Sequence, residues 1–151
     1  MAKFPRPEGH HTITPSFAVK NAAKVIDFIA KTFGGKVVDR YDAPDGSVAH
    51  AEIMIGDSVI MLGEPMMPGQ EAMPAGLSIN VDDGDQVDLV YKKALANGAT
   101  SEMEPKNQFY GYRSATVRDA GGNRWTINAI VEQVSREEIE KRMANMMKGG
   151  Q

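Results

Sequence analysis

Two side chains in this sequence are placed to move a proton together. His50 and Glu52 stand two apart in Ser47-Val-Ala-His-Ala-Glu-Ile-Met-Ile55, a run that alternates polar and apolar positions. Alternation at period two predicts a half-buried strand, and residues i and i+2 of a strand share a face. A neutral imidazole titrates near physiological pH, and a carboxylate beside it fixes its ring and proton, so the pair suits general acid–base work. The pair could also be a polar couple on a wet sheet face, bonded to neighbours or to Arg118. Two ligands are too few for zinc or iron, which take three or more imidazole, carboxylate or thiolate groups. Arg113 and Arg118 are candidates to hold an anionic group. The other histidines, His10 and His11, fall in residues 1–11, a segment with two prolines, one glycine and no periodicity. It reads as a flexible arm, and adjacent residues on a strand would point to opposite faces.

A stretch in the second half supplies a longer set of polar candidates. Tyr110-Gly-Tyr-Arg-Ser-Ala-Thr-Val-Arg-Asp-Ala-Gly-Gly-Asn-Arg-Trp-Thr-Ile-Asn128 predicts a hairpin, turning through Asp119 to Asn123. Glycine and asparagine tolerate positive φ, which tight hairpin turns require. Parity places Tyr112, Ser114, Thr116, Arg118, Thr126 and Asn128 on one face. In the first half it places Thr14, Ser16, His50, Glu52, Met54 and Met61 on one face, and Ser78 and Asn80 join from the start of the second half. The apolar partners Phe17, Ile53, Ile79, Val117, Trp125 and Ile127 are expected against helices. Phe109 and Tyr110, in a glycine-flanked loop, are expected at a rim or as a loop anchor.

The elements that must position these residues follow a repeated order. Residues 12–19 predict a strand, in which Pro15 suggests an edge position or a bulge. Asn21 is the expected cap of a helix whose Val25, Ile26, Ile29 and Phe33 recur at helical spacing, and Gly34-Gly35 ends it. Three strands follow: residues 36–41, 47–55 and 58–63, separated by Asp42-Ala-Pro-Asp-Gly46 and Gly56-Asp57. Residues 76–81 begin the order again. Asp83 caps a helix carrying Val87, Tyr91 and Leu95, and Asn97-Gly98 closes it. A weak strand at residues 100–103 and the hairpin complete the second half. Caps, helix stops and hairpin turns recur about 62 to 65 residues apart, which reads as an internal repeat. The expected organisation is a single domain over residues 1–151. It comprises unit one (12–64), a proline-rich linker (65–75), unit two (76–130) and a terminal helix (135–148). Ser135-Arg-Glu-Glu138 has the form of a capping box for that helix, whose Ile139, Met143 and Met147 form a stripe suited to packing on its own chain or on a second copy.

Composition narrows the function classes. Net charge is −3, which gives no support for a nucleic-acid surface. There are no cysteines, so disulfides, thiolate metal sites and a cysteine nucleophile are excluded. No apolar run is long enough to span a membrane, and the first residues lack a secretory apolar core, so the expected location is cytoplasmic. The ten methionines read as gap-fillers and packing surface. No catalytic triad, phosphate loop or dinucleotide fingerprint is present.

Two tandem β-α-β-β-β units with these hairpins resemble the vicinal oxygen chelate superfamily, which holds glyoxalases, bleomycin-resistance proteins and extradiol dioxygenases. The likeness is nearest to its PhnB-like members. His50-Ala-Glu-Ile-Met-Ile-Gly-Asp-Ser-Val-Ile-Met-Leu62, Gly111 to Trp125, and Val131-Glu-Gln-Val-Ser-Arg-Glu-Glu138 carry it. The resemblance implies an α+β fold, two tandem βαβββ units forming a cup-shaped mixed β-sheet with helices outside, often completed across a homodimer. It also implies a divalent metal held by His, Gln or Glu from the first and last strands of each unit. Those positions fall on Thr14 and Gly76 for the first strands, and on Thr126 and Met61 for the last, or Glu64 if a small gap intervenes. Threonine, glycine and methionine are not ligands for such an ion, so the standard metal site is expected to be absent.

Two readings follow. One is a metal-independent small-molecule binder of the bleomycin-resistance type, with no cofactor. The other is a lyase, isomerase or dioxygenase-like enzyme using a displaced divalent metal or His50 and Glu52. In either, a small organic ligand is expected to meet Thr14, Met61, Asn80, Phe109, Tyr110, Tyr112, Arg118, Thr126 and Asn128. Nothing resembles a site for a methyl-donor nucleotide.

Overall fold

Apolar residues at helical spacing and apolar residues at alternate strand positions meet in one core. The computed structural model of the protein describes residues 1–150. Unit one comprises β1 (Ser16–Ala18), α1 (Ala22–Phe33), β2 (Lys36–Asp42), β3 (Val48–Ile55) and β4 (Ser58–Gly63). Unit two comprises β5 (Gly76–Asn80), α2 (Gly84–Ala96), β6 (Thr100–Asn107), β7 (Tyr112–Arg118) and β8 (Arg124–Ile130), followed by α3 (Arg136–Gly149). The fold is α+β, with two separate four-stranded mixed sheets in the orders β1-β4-β3-β2 and β5-β8-β7-β6. In each, the first strand runs parallel to the last, and the remaining pairs are antiparallel.

The two units share their apolar side. Val25 and Ile29 of α1, Val87 and Tyr91 of α2, and Ile53, Leu62, Val117, Trp125 and Ile127 of the sheets belong to one buried cluster. Phe33 at the end of α1 stacks on Trp125, ring centres 4.7 Å apart. Each buried aliphatic or aromatic side chain of this kind contributes about 1.5–3 kcal/mol. Phe17 and Ile79 pack on the edge of this cluster, so all six residues assigned to the apolar faces lie there. The polar faces therefore point away from the shared core.

Local chemistry explains where the boundaries fall. Pro15 cannot donate to a ladder, and β1 starts after it at the sheet edge. Thr14 consequently lies outside the strand, half-buried. Asn21 does not cap α1 with its side chain; it takes φ +57°, which asparagine tolerates, and its amide donates to Ala120 O at 3.2 Å, tying α1 to the β7–β8 turn. Asp83 does cap α2, accepting from Gln86 N–H, and Ser135 caps α3, accepting from Glu138 N–H. Strand β6 is longer than its sequence suggests. It runs on through Pro105 because it is an edge strand whose pairing slips between Met103 and Lys106, where no ladder donor is needed. Of the α3 stripe, Ile139 is half-buried while Met143 and Met147 are exposed, and Arg142 ties the helix to Glu132 and to Phe109 O. Among the described residues, no helix is long and apolar enough to cross a membrane.

Candidate functional site

The strand ladders decide which polar residues share a face. In unit one, Ser16 pairs with Met61 and Met61 with Glu52. His50 lies two residues from Glu52 on the same side of β3. His50 Nε2 is 3.4 Å from Glu52 Oε2, a long contact within hydrogen-bond range. The other carboxylate oxygen, Oε1, is 2.7 Å from His10 Nε2. Glu52 thus stands between two imidazoles, each on its own oxygen. An ionised carboxylate only accepts, so a ring bonded through Nε2–H leaves Nδ1 free for another partner. Tyr41 of the edge strand faces the same group, its ring centre 6.4 Å from that of His50. Its hydroxyl pKa is raised, chiefly by the hydrogen bond to and charge of Asp39 and further by Glu52.

Unit two has the same ladder and different chemistry. Ser78 pairs with Thr126 and Asn80 with Asn128. Ser114 and Asn128 are buried, and the Ser114 hydroxyl donates to Asn128 Oδ1 at 2.7 Å. The Thr116 and Thr126 hydroxyls are 3.3 Å apart. Each buried polar group thereby has a partner, avoiding the roughly 1–3 kcal/mol that an unpaired one costs. At one end Arg118 and Arg124 both bond Glu102, which holds that carboxyl below its ordinary range. At the other end Phe109, Tyr110 and Tyr112 meet in succession, the first pair edge to face and the second tilted, with ring centres 5.2 and 5.4 Å apart. Arg142 of α3 anchors this loop, donating to Phe109 O at 3.0 Å while also bonding Glu132 and Glu138. Those carboxylates push the Arg142 guanidinium pKa upward.

The candidate residues are thus divided between two sheets. His50, Glu52 and Met61 belong to the first, with Thr14 just before its edge strand. Asn80, Tyr112, Arg118, Thr126 and Asn128 belong to the second, with Phe109 and Tyr110 in the loop before β7. Arg118 does not bond His50 or Glu52; its carboxylate is Glu102, on the neighbouring strand of its own sheet. Arg113 lies on the opposite, helix-facing side, where it bonds Asp88 and Asn107. A cavity of about 540 Å³ opens between the units and is lined by Ile60, Trp125, Ser78 and Asn80 among others. A smaller one of about 220 Å³ lies beside His50, Ser16, Glu64 and Gln70.

Sequence reading missed His10, since nothing in the proline-rich arm marks it for Glu52. It also missed Glu102, hidden in a polar strand, and Asp119. The buried Asp119 carboxylate accepts from Gly121 N–H, Asn123 N–H, the Asn123 amide and the Trp125 indole N–H. The Asp-x-x-x-Asn spacing across a hairpin turn was the available signal for that network.

The ladder also bears on the metal positions implied by the resemblance. Thr126 lies beside Ser78 rather than Gly76, and Met61 beside Ser16 rather than Thr14. Glu64 lies past the end of β4, where its carboxylate accepts Val48 N–H at 3.2 Å. Two serines, a threonine and a methionine do not fit a hard divalent ion. Among the described residues, no three His, Cys, Asp or Glu side chains are arranged to hold a metal ion.

Two βαβββ units with parallel outer pairings and apolar faces shared with their helices define a class. A model of the Glyoxalase/Bleomycin resistance protein/Dioxygenase superfamily matches residues 9–127, and the chain belongs to that superfamily. An uncharacterized protein of Mycobacterium tuberculosis is 31% identical over 147 residues, covering 91% of this chain and 85% of the relative. Among solved structures, TioX from Micromonospora sp. ML1 superposes with a TM-score of 0.66 at 20% identity, covering 80% of this chain and 99% of its own. The PhnB protein from Bacillus cereus gives 0.65 at 16% identity, covering 79% and 99%. The latter is the neighbour that supports a PhnB-like fold; at these identities the likeness is one of fold.

Proposed function

We propose that the protein binds a small organic molecule without the metal site typical of its superfamily. The observation that carries this reading is the donor set where first and last strands lie side by side: Ser16 and Met61 in unit one, Ser78 and Thr126 in unit two. Hydroxyls and a thioether suit hydrogen bonding and contact with an organic ligand. The neutral polar face of sheet two and the aromatic run Phe109, Tyr110 and Tyr112 supply shape and contact area of the kind small-molecule sites use. We further infer that the protein acts as a homodimer, since the two polar faces belong to separate sheets and α3 leaves Met143 and Met147 exposed.

A second reading is favoured by one observation, the contact of His50 with Glu52 at 3.4 Å. It makes the protein a lyase, isomerase or dioxygenase-like enzyme in which Glu52 orients His50 as a general base. The two readings separate on one experiment. The protein, held in EDTA, is screened against a library of small organic compounds by thermal shift, and bound compounds are recovered and weighed by mass spectrometry. The proposal expects stoichiometric recovery of unchanged compound. Conversion that is lost in both His50→Ala and Glu52→Gln would establish the enzyme reading instead.

A further inference from the structure

Val59 is buried to 2% exposure yet does not belong to the shared core. Its neighbours on β4 explain why this is unusual. Ile60 and Leu62 point into the core, so Val59 and Met61 point to the polar face, outside that cluster, with Met54 and Glu52 as their ladder partners. What covers Val59 is the N-terminal arm. Val59 N–H donates to Gly9 O at 3.0 Å, and His10 N–H donates to Pro7 O at 3.1 Å, folding the arm into a turn. Gly9 adopts φ +75°, and a Cβ built there would fall 2.6–2.7 Å from Met54 Cε and Sδ and Val59 Cγ2. A glycine is therefore needed both for the backbone conformation and for the close approach. Next along the arm, His10 reaches Glu52 at 2.7 Å, and His11 Nε2 lies 3.3 Å from Asp57 O.

We propose that residues 7–11 form a strap that closes the polar face of sheet one, latched by His10 on Glu52, and that it lifts to admit a ligand to Glu52, Met54 and Met61. This rests on reading the polar face as a ligand site. The strap explains why an arm of prolines and glycine keeps a fixed path with no strand pairing of its own. It also makes His10 a positioning residue. By occupying Oε1 of Glu52 it leaves Oε2 for His50.

Methionine oxidation reads the strap without any ligand. Dilute hydrogen peroxide converts accessible methionines to sulfoxides, and peptide mass spectrometry follows each separately. Met67 and Met147, 70% and 72% exposed, serve as internal references. In the unaltered protein Met54, half-buried with its thioether against Gly9, should oxidise at least about threefold more slowly than the exposed Met67. His10→Ala removes the latch and Gly9→Val removes the fit. Both should raise the Met54 rate about threefold or more, with the references unchanged. Met54 oxidising as fast as Met67 in the unaltered protein, or at an unaltered rate in both variants, would overturn the strap. The experiment uses free protein, so its failure leaves the ligand-binding reading intact. Failure of the compound screen, conversely, leaves the strap intact.

Discussion

The polar faces of the two sheets share a topology and a ladder register but differ in chemistry. Sheet one carries ionisable groups, with Glu52 between His10 and His50, and is covered by a segment from outside the repeat. Sheet two carries neutral groups that satisfy one another, Ser114 with Asn128 and Thr116 with Thr126, and its charges are gathered at the strand end by Glu102. The βαβββ unit fixes where a side chain stands, while the side chain determines what can happen there. The hairpin turns differ in the same way. In unit two the turn is organised by a buried carboxylate serving four donors. In unit one the corresponding turn has only the exposed Asp57, which accepts from the Ser58 hydroxyl.

The largest effect that would break this contrast is at the turns. Asp119→Ala strands several buried donors and should cost about 3 kcal/mol of stability, whereas Asp57→Ala should cost less than about 0.5 kcal/mol. Urea unfolding of both variants measures the difference. Similar losses at the two turns would show that the networks do not matter as described. A smaller effect is expected at Glu102, which is exposed. Arg118 and Arg124 lower its folded pKa below its unfolded value. The stabilisation is then present above the unfolded pKa and lost as pH falls through the folded one. Glu102→Gln should lower stability modestly at pH 7, flatten the acid limb of the stability–pH curve below about pH 4.5 and meet the original curve at lower pH, where Glu102 is protonated in both states. A variant curve parallel to the original across the acid range would contradict this.

Much of the fold was legible in the sequence because its signals are local. Val25, Ile26, Ile29 and Phe33 recur at 3.6 residues, residues 47–55 alternate, and Gly34, Gly56 and Gly122 mark positions of positive φ. The sorting of Phe17, Ile53, Ile79, Val117, Trp125 and Ile127 to the apolar side followed from parity alone. What was not legible depends on contacts distant in sequence. Asn21 has the residue type of a cap, but its amide is spent on Ala120, 99 positions away. The edge strand β6 tolerates Pro105 only because its pairing slips there. Arg118 looked free to hold an anion until Glu102 was placed beside it. The arm carries no periodicity, so the position of His10 opposite Glu52 emerges only when β4 is in place to receive Gly9. The candidate site suffers most from this, since its polar partners come from separate strands and from outside the repeat.

Metal content tests the central claim most directly. The protein, produced without a histidine tag and dialysed against metal-free buffer, is measured by inductively coupled plasma mass spectrometry. With Ser16, Met61, Ser78 and Thr126 at the ladder positions, the expected result is below about 0.1 divalent transition-metal ion per chain. About one such ion per chain, retained through dialysis and lost with Glu52→Gln or His50→Ala, would contradict the account and place a displaced metal centre on sheet one.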